Sequence, residues 1–506
     1  MILTPWLIAV DDDHWYSCPM SILTAKPHPD PDPDSGPDHG RKPGRPTLIH
    51  ALICFLPIIG MISLGLFVYG ISLHTIIFVC LIWAVVNTAL LGYGYGETQE
   101  MMSQAIARAL PAIYIFILIG MVIASFMQSG TIAMLIYYGL AILEPSFFLF
   151  TGLLLCCLMS VATGTSWGTV GTLGVVFIGI GEALQIPLPI VAGMIVSGAT
   201  FGDKMSPVSD TTNLAAMSAE TNLYTHIRTM MYTTVPTLVL VSMILLVLGF
   251  QYADNSLPSA RIEQIQTALA ASYHLNPLVT LIPLLVMLVL SIKRFSPQVA
   301  MTASIVTAAA IAVVYQQSSP VEVANSLWSN TPGTTGISSI DSLLGRGGIN
   351  SMSWTLLLSL MALALGGVLF GGKFLEVLLS GLINRVKRTS SLIALTIASG
   401  FVGNIAMGEA YISIILNCQL FKGSFDSQKL DSSLLSRSVE EGSTVTTGLI
   451  PWTTAGAFYA ATLGVPVLDY LPYAFFNLLN PVVSITMAIL GLGLLGHVSE
   501  SQKAGV

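Results

Sequence analysis

The sequence predicts an all-α polytopic membrane protein built from two inverted-topology repeats with re-entrant hairpins and broken helices. Three observations predict it. The 506 residues are 54% hydrophobic and 9% charged, with a mean hydropathy of +0.78, too few charges to cover a soluble globule of this size. Apolar stretches approach the ~20 residues that a spanning helix needs, many times over. Polar clusters interrupt those stretches in the same order in both halves. The net charge of −7 is spread along the chain, so nothing invites nucleic acid. The six cysteines, Cys18, Cys54, Cys80, Cys156, Cys157 and Cys418, lack metal-ligand spacing and read as small packing residues; with the eight histidines scattered too, no zinc, haem or other cofactor is expected.

In chain order, residues 27–46, PHPDPDPDSGPDHGRKPGRP, are too rich in proline and aspartate to pack, which makes 1–47 a disordered tail. Residues 1–19 lack the basic start of a signal peptide, and Met20 offers an alternative start. The membrane domain, 48–495, follows, with a short tail at 496–506. Its apolar segments are 48–69, 72–92, 111–128 with a broken continuation to 143, 147–163, 169–184, 188–222, 229–250, 276–292, 297–315, 354–372, 391–407, 410–421, 440–464 and 470–494. Several are too short to span. Two pairs read as re-entrant hairpins, 147–184 folded at Thr163–Thr169 and 391–421 folded at Gly403–Glu409. Non-helical backbone at that depth survives only where it is buried in protein or lines a cavity.

With both hairpins counted, the positive-inside rule is satisfied by a cytoplasmic N-terminus. Lys26, Arg41, Lys42, Arg45, Arg108, Arg228, Lys293, Arg294, Arg385, Lys387, Arg388, Lys422, Lys429, Arg437 and Lys503 fall inside; Arg261 and Arg346, in the loops 251–275 and 316–350, fall outside. The hairpins then enter from opposite faces. Repeat one (about 111–222) and repeat two (about 354–464) each run broken helix, hairpin, then a helix broken at a polar cluster. Inverted repeats with paired broken helices are the architecture of secondary transporters, whose sites lie where the breaks meet.

The first break, Gly202-Asp203-Lys204-Met205-Ser206-Pro207-Val208-Ser209-Asp210-Thr211-Thr212-Asn213, places two carboxylates and a lysine at membrane depth. Such groups usually mark an ion pathway. Together with Thr163-Gly164-Thr165-Ser166-Trp167-Gly168-Thr169-Val170-Gly171-Thr172 and Gly448-Leu449-Ile450-Pro451-Trp452-Thr453-Thr454-Ala455-Gly456-Ala457-Phe458, it closely resembles the NhaC-type sodium/proton antiporters, over about residues 48–495. The resemblance implies the fold of the ion-transporter superfamily. It leaves the cargo open, since some members look like plain Na⁺/H⁺ exchangers and others couple ions to malate and lactate or to amino acids.

Asp203 and Asp210 are the expected Na⁺ ligands, with oxygens from Thr165, Ser166, Ser206, Ser209, Thr211, Thr212 and Asn213; the plainer alternative pairs Asp203 with Lys204 and makes Asp210 a helix cap. Lys204 is either a substitute counter-ion for the empty site or a structural partner. Glu409, at a hairpin tip, and Thr446, Thr447 and Thr453, at the second break, complete the candidate set. Glu440 and Glu441 point about 100° apart on a helix, so one is expected to act as gate or sensor, the alternative being a solvated helix start after Arg437. Trp167 and Trp452 are expected to pack against the hairpins. An intramembrane protease would carry its aspartates differently, and a channel would not need the repeat. No enzyme is expected. The reading is a Na⁺/H⁺ antiporter of a bacterial inner membrane with both termini cytoplasmic; a carrier coupled to a small organic acid or amino acid is the alternative. A homodimer is left open.

Overall fold

A computed structural model describes residues 44–252, 259–333, 335, 337–383, 386 and 388–494. The expected N-terminal tail up to residue 43, Met20, Arg385, Lys387 and the C-terminal tail lie outside the described residues. Helices follow one another as α1 (Leu48–Ser63), α2 (Leu73–Leu90), α3 (Tyr95–Gln128), α4 (Thr131–Ile142), α5 (Pro145–Thr163), α6 (Ser166–Thr169), α7 (Val175–Ala183), α8 (Leu188–Met205) and α9 (Asp210–Ser218). The middle of the chain holds α10 (Leu223–Phe250), α11 (Ser259–Ser272), α12 (Pro277–Thr280), α13 (Ile282–Ile292), α14 (Pro297–Val314), α15 (Pro320–Trp328) and α16 (Ser338–Leu344). The last part holds α17 (Ser353–Gly371), α18 (Phe374–Ile383), α19 (Thr389–Met407), α20 (Ala410–Ser427), α21 (Ser432–Gly442), α22 (Thr444–Thr447), α23 (Thr454–Leu463), α24 (Val467–Tyr470) and α25 (Phe475–Ile489). No strand occurs among the described residues. Eight helices are long and apolar enough to cross a membrane, or up to ten if two bent pairs each count as one span.

Burial sorts the helices. Ile49, Ile53 and Leu56 of α1 and Val239, Met243 and Val247 of α10 are exposed apolar side chains, as a lipid-facing surface requires. In α8, by contrast, every residue from Ile190 to Lys204 is buried, and so is every residue of α21 from Ser433 to Gly442. A helix buried all round lies in the interior. α21 corrects the sequence reading: Arg437 is not a cytoplasmic loop residue and Glu440 and Glu441 are not a solvated helix start, because all three are fully buried. Several boundaries shift for ordinary reasons. α3 begins at Tyr95 instead of near 111, since the Glu97 carboxylate reaches back to accept from the Gly94 amide at 2.7 Å and the polar stretch after it favours helix. α10 begins at Leu223, where the Asn222 side chain caps it. The expected loops 251–275 and 316–350 carry α11, α15 and α16, and α18 fills the expected gap after residue 372.

The same order of elements occurs twice. In the first run α3 and α4 meet at Gly130 (φ 77°), α5 turns at Gly164 (φ 68°) into α6, and α8 breaks around Pro207 before α9. In the second, α17 and α18 meet at Lys373 (φ 59°), α19 turns at Gly408 (φ 65°) into α20, and α22 breaks around Pro451 before α23. Each hairpin tip seats on the break of its own run. A Cβ added at Gly164 would lie 2.9 Å from the carbonyl carbon of Val208, and the Gly408 carbonyl accepts from the Thr454 amide at 2.9 Å. Left-handed backbone and that close approach both call for glycine.

Candidate functional site

Glycine brings the site's main helix into place. Gly198 and Gly202 are four residues apart on α8 and face α5: added Cβ atoms would come within 2.7 Å of the Leu153 carbonyl oxygen and 2.4 Å of the Cys157 carbonyl oxygen. Small residues at this spacing let two membrane helices touch backbone to backbone. The contact holds the next two residues, Asp203 and Lys204, inside the protein at the end of α8. Lys204, 1% exposed, also suits the negative end of a helix dipole.

Lys204 is the hub. Its Nζ donates to Glu440 Oε1 at 2.9 Å and to Thr211 Oγ1 at 2.6 Å, and lies 3.5 Å from Asp203 Oδ2. The Ser166 hydroxyl donates to the same Asp203 Oδ2 at 3.1 Å, while Asp203 Oδ1 is buried without a partner. The Thr212 hydroxyl stands 3.1 Å from Glu440 Oε1 and 3.2 Å from the Asp203 carbonyl oxygen, sharing one proton between them. Glu440 holds a further partner: its Oε2 is 2.5 Å from His226 Nε2, and His226 Nδ1 is 2.5 Å from Ser436 Oγ. α8, α9, α10 and α21 thus meet through one buried set of charges, with the tip of the first hairpin reaching in through Ser166.

The other expected residues fall into three groups. Ser209 is the N-cap of α9, accepting from the Thr212 amide at 3.4 Å, so the capping role expected as an alternative for Asp210 belongs to its neighbour. Asp210 opens that helix exposed, accepting from the Thr211 amide at 2.8 Å and from the Tyr411 hydroxyl. Ser206 donates to the Val161 carbonyl at 2.8 Å and Asn213 to the Ser209 carbonyl at 2.6 Å, bonds that shape the break. Thr165 caps α6, Glu409 caps α20 and Thr453 caps α23. At the second break Asn404 Nδ2 donates to the Ser443 carbonyl at 2.5 Å and to Thr446 Oγ1 at 3.1 Å, and Thr447 Oγ1 is buried without a partner. Glu440 and Glu441 do diverge. Glu441 accepts from Thr233 Oγ1 at 2.5 Å and lies 3.9 Å from Arg437 Nε, away from Lys204. Trp167 stacks on Phe458 with centroids 4.9 Å apart, and Trp452 Nε1 donates to the Ile405 carbonyl at 2.9 Å, so both pack as expected. The five described cysteines are buried and unpaired.

His226 and Tyr411 were not singled out from the sequence. A signal for His226 was there: His226, Thr229, Thr233 and Thr237 recur at helical spacing along α10, and all four are buried against polar partners. A polar stripe on a membrane helix marks its inward face.

Ionisable groups gathered at broken helices inside a many-spanned, all-helical chain define a class, the membrane transporters of ions. This chain belongs to the Na⁺/H⁺ antiporter family, whose model matches residues 46–211 and 198–492. It is 37% identical over 460 residues to the Na⁺/H⁺ antiporter NhaC of Alkalihalophilus pseudofirmus, covering 91% of this chain and 99% of that one. Similarity extends to the malate-2H⁺/Na⁺-lactate antiporter of Bacillus subtilis (33% identical, 88% and 94% covered) and to the arginine/ornithine antiporter ArcD of Halobacterium salinarum (34%, 88% and 93%).

Proposed function

We infer that this protein exchanges Na⁺ for H⁺ across a cell membrane, the two ions competing for the carboxylate of Asp203. The observation that carries this reading is a buried carboxylate with one oxygen spoken for and the other, Oδ1, without a partner. Hard oxygen donors suit a small cation, and the C-terminal end of α8 carries the partial negative charge of a helix dipole, which adds to the attraction. A proton on Asp203 removes the charge that Na⁺ needs, so the site holds one ion or the other. Asp210, exposed at the far side of the break and tied to Tyr411, stands at the mouth of the path. The doubled order of elements supports two repeats of opposite orientation, and the distribution of lysine and arginine supports cytoplasmic termini in a bacterial inner membrane.

The test is transport in proteoliposomes. An imposed Na⁺ gradient moves protons, and the apparent Na⁺ affinity falls as the pH drops. Saturable uptake of an organic solute with no Na⁺-driven pH change overturns the reading. One feature favours a second reading, coupling to a carboxylate-bearing solute: a cavity of about 260 Å³ lined by Arg346, Asn330 and Thr462 among others. There Arg346 donates to the Leu463 carbonyl at 3.1 Å and Thr462 Oγ1 is buried without a partner. Malate, lactate and arginine gradients in the same vesicles distinguish the two readings.

A further inference from the structure

We propose that the imidazole of His226 is a proton-binding site of the exchange cycle, coupled to the Na⁺ site through Glu440 and Lys204. The proposal rests on the exchange reading above and on one geometry. Glu440 is shared by two nitrogen donors, with Lys204 on Oε1 at 2.9 Å and His226 on Oε2 at 2.5 Å. Lys204 in turn is shared by two carboxylates, Glu440 and, at 3.5 Å, Asp203.

Both protonation states of His226 fit this cage. A carboxylate cannot donate, so Nε2 carries a hydrogen toward Glu440 throughout. In the neutral ring Nδ1 accepts from the Ser436 hydroxyl; in the imidazolium Nδ1–H donates to the same oxygen, because a hydroxyl can do either. No hydrogen bond to the ring is lost as the charge changes.

The surroundings leave Glu440 as the main lever. Around α10, α21 presents Glu440 to His226 and, to Thr233, Glu441 with Arg437 beside it; α8 presents Lys204 and Asp203, reaching His226 through Glu440; α9 opens with Asp210. α5 and α25 carry no charged residue, and the titratable groups of α5 are the buried thiols Cys156 and Cys157. When His226 is neutral, Lys204 is needed by Glu440 and Asp203 is left for Na⁺. When a proton adds at Nδ1, the imidazolium neutralises Glu440, Lys204 turns to Asp203, and Na⁺ is displaced. The proton at His226 thus works through Lys204 on the same carboxylate that a proton can occupy directly, and both protonations act against Na⁺.

The experiment measures the apparent Na⁺ KM between pH 6 and 9, together with Na⁺-driven proton movement, in proteoliposomes of the full chain. A single competing proton changes that KM by up to about tenfold per pH unit. His226→Gln, whose amide still donates to Glu440, is expected to make this dependence shallower, leaving the part that direct protonation of Asp203 supplies. Ser436→Ala keeps the ring and its bond to Glu440 but removes the acceptor for the second N–H of the imidazolium, so it is expected to move the midpoint toward acid. A parental profile in a correctly inserted His226→Gln protein overturns the proposal; should that variant fail to insert, an unmoved midpoint in Ser436→Ala does so. Absence of Na⁺-driven proton movement in the parent overturns the exchange reading itself, which Asp203→Asn probes separately.

Discussion

A lysine taken out of water must be given countercharge, and Lys204 has two carboxylates within 3.5 Å. Removing one member of such a set leaves an uncompensated buried charge, so Glu440→Gln is expected to destabilise the protein by about 3–5 kcal/mol, seen as an earlier thermal transition in detergent. Asp203→Asn behaves differently. It keeps the shape and the bond from Ser166 but can neither neutralise Na⁺ nor hold a proton. Exchange is expected to fall to the vesicle background with membrane insertion intact; near-normal exchange would return the cluster to a structural role. Asp210→Asn tests the mouth. Because the Asp210 side chain is exposed and held by Tyr411, a weakened Na⁺ KM without loss of maximal rate is expected, measured in the same assay.

Among the elements, the crossing of α5 and α8 decides where the site stands. Water supplies no hydrophobic drive between helices in lipid, so close packing carries the association. At Gly202 the Cys157 carbonyl oxygen and Ser160 Cβ leave 2.4 and 2.5 Å for an added Cβ. Gly202→Val is therefore expected to cost about 1–3 kcal/mol from overpacking and to abolish exchange, because the residue displaced with it is Asp203. A variant with parental thermal stability and parental exchange would show that the two helices do not meet this way.

Across the whole molecule, two hairpin tips each rest on a broken helix, and we propose that they enter from opposite sides. Cysteines placed at Ser166 and Ala406, in a background freed of the native thiols, are expected to react with small hydrophilic thiol reagents from opposite sides, with Na⁺ slowing both. Cysteines at the exposed positions Gln251 and Ser427 are the controls. They should label from outside and from inside respectively, whatever the ion. Tips that label freely from one face would make these segments ordinary loops.

Periodicity and composition were enough for much of this. Long apolar runs have no other home than a bilayer, and a break announced by Asp203, Lys204 and Pro207 can be read locally because glycine, proline and charge act on the backbone where they stand. The partners of that cluster were not legible. α21 is a short polar helix that hydropathy assigns to water, and it is buried only because Ser433, Ser436, Glu440 and Glu441 each meet a partner on α8 or α10 more than 200 residues away in the chain. Burial of a charge is decided by what lies opposite it, and no local pattern around Glu440 names Lys204 or His226. The chain alone determined that ions are handled within the membrane; the tertiary structure decided which carboxylates, lysine and histidine come together, because burial of each charge depends on a partner far away in the chain.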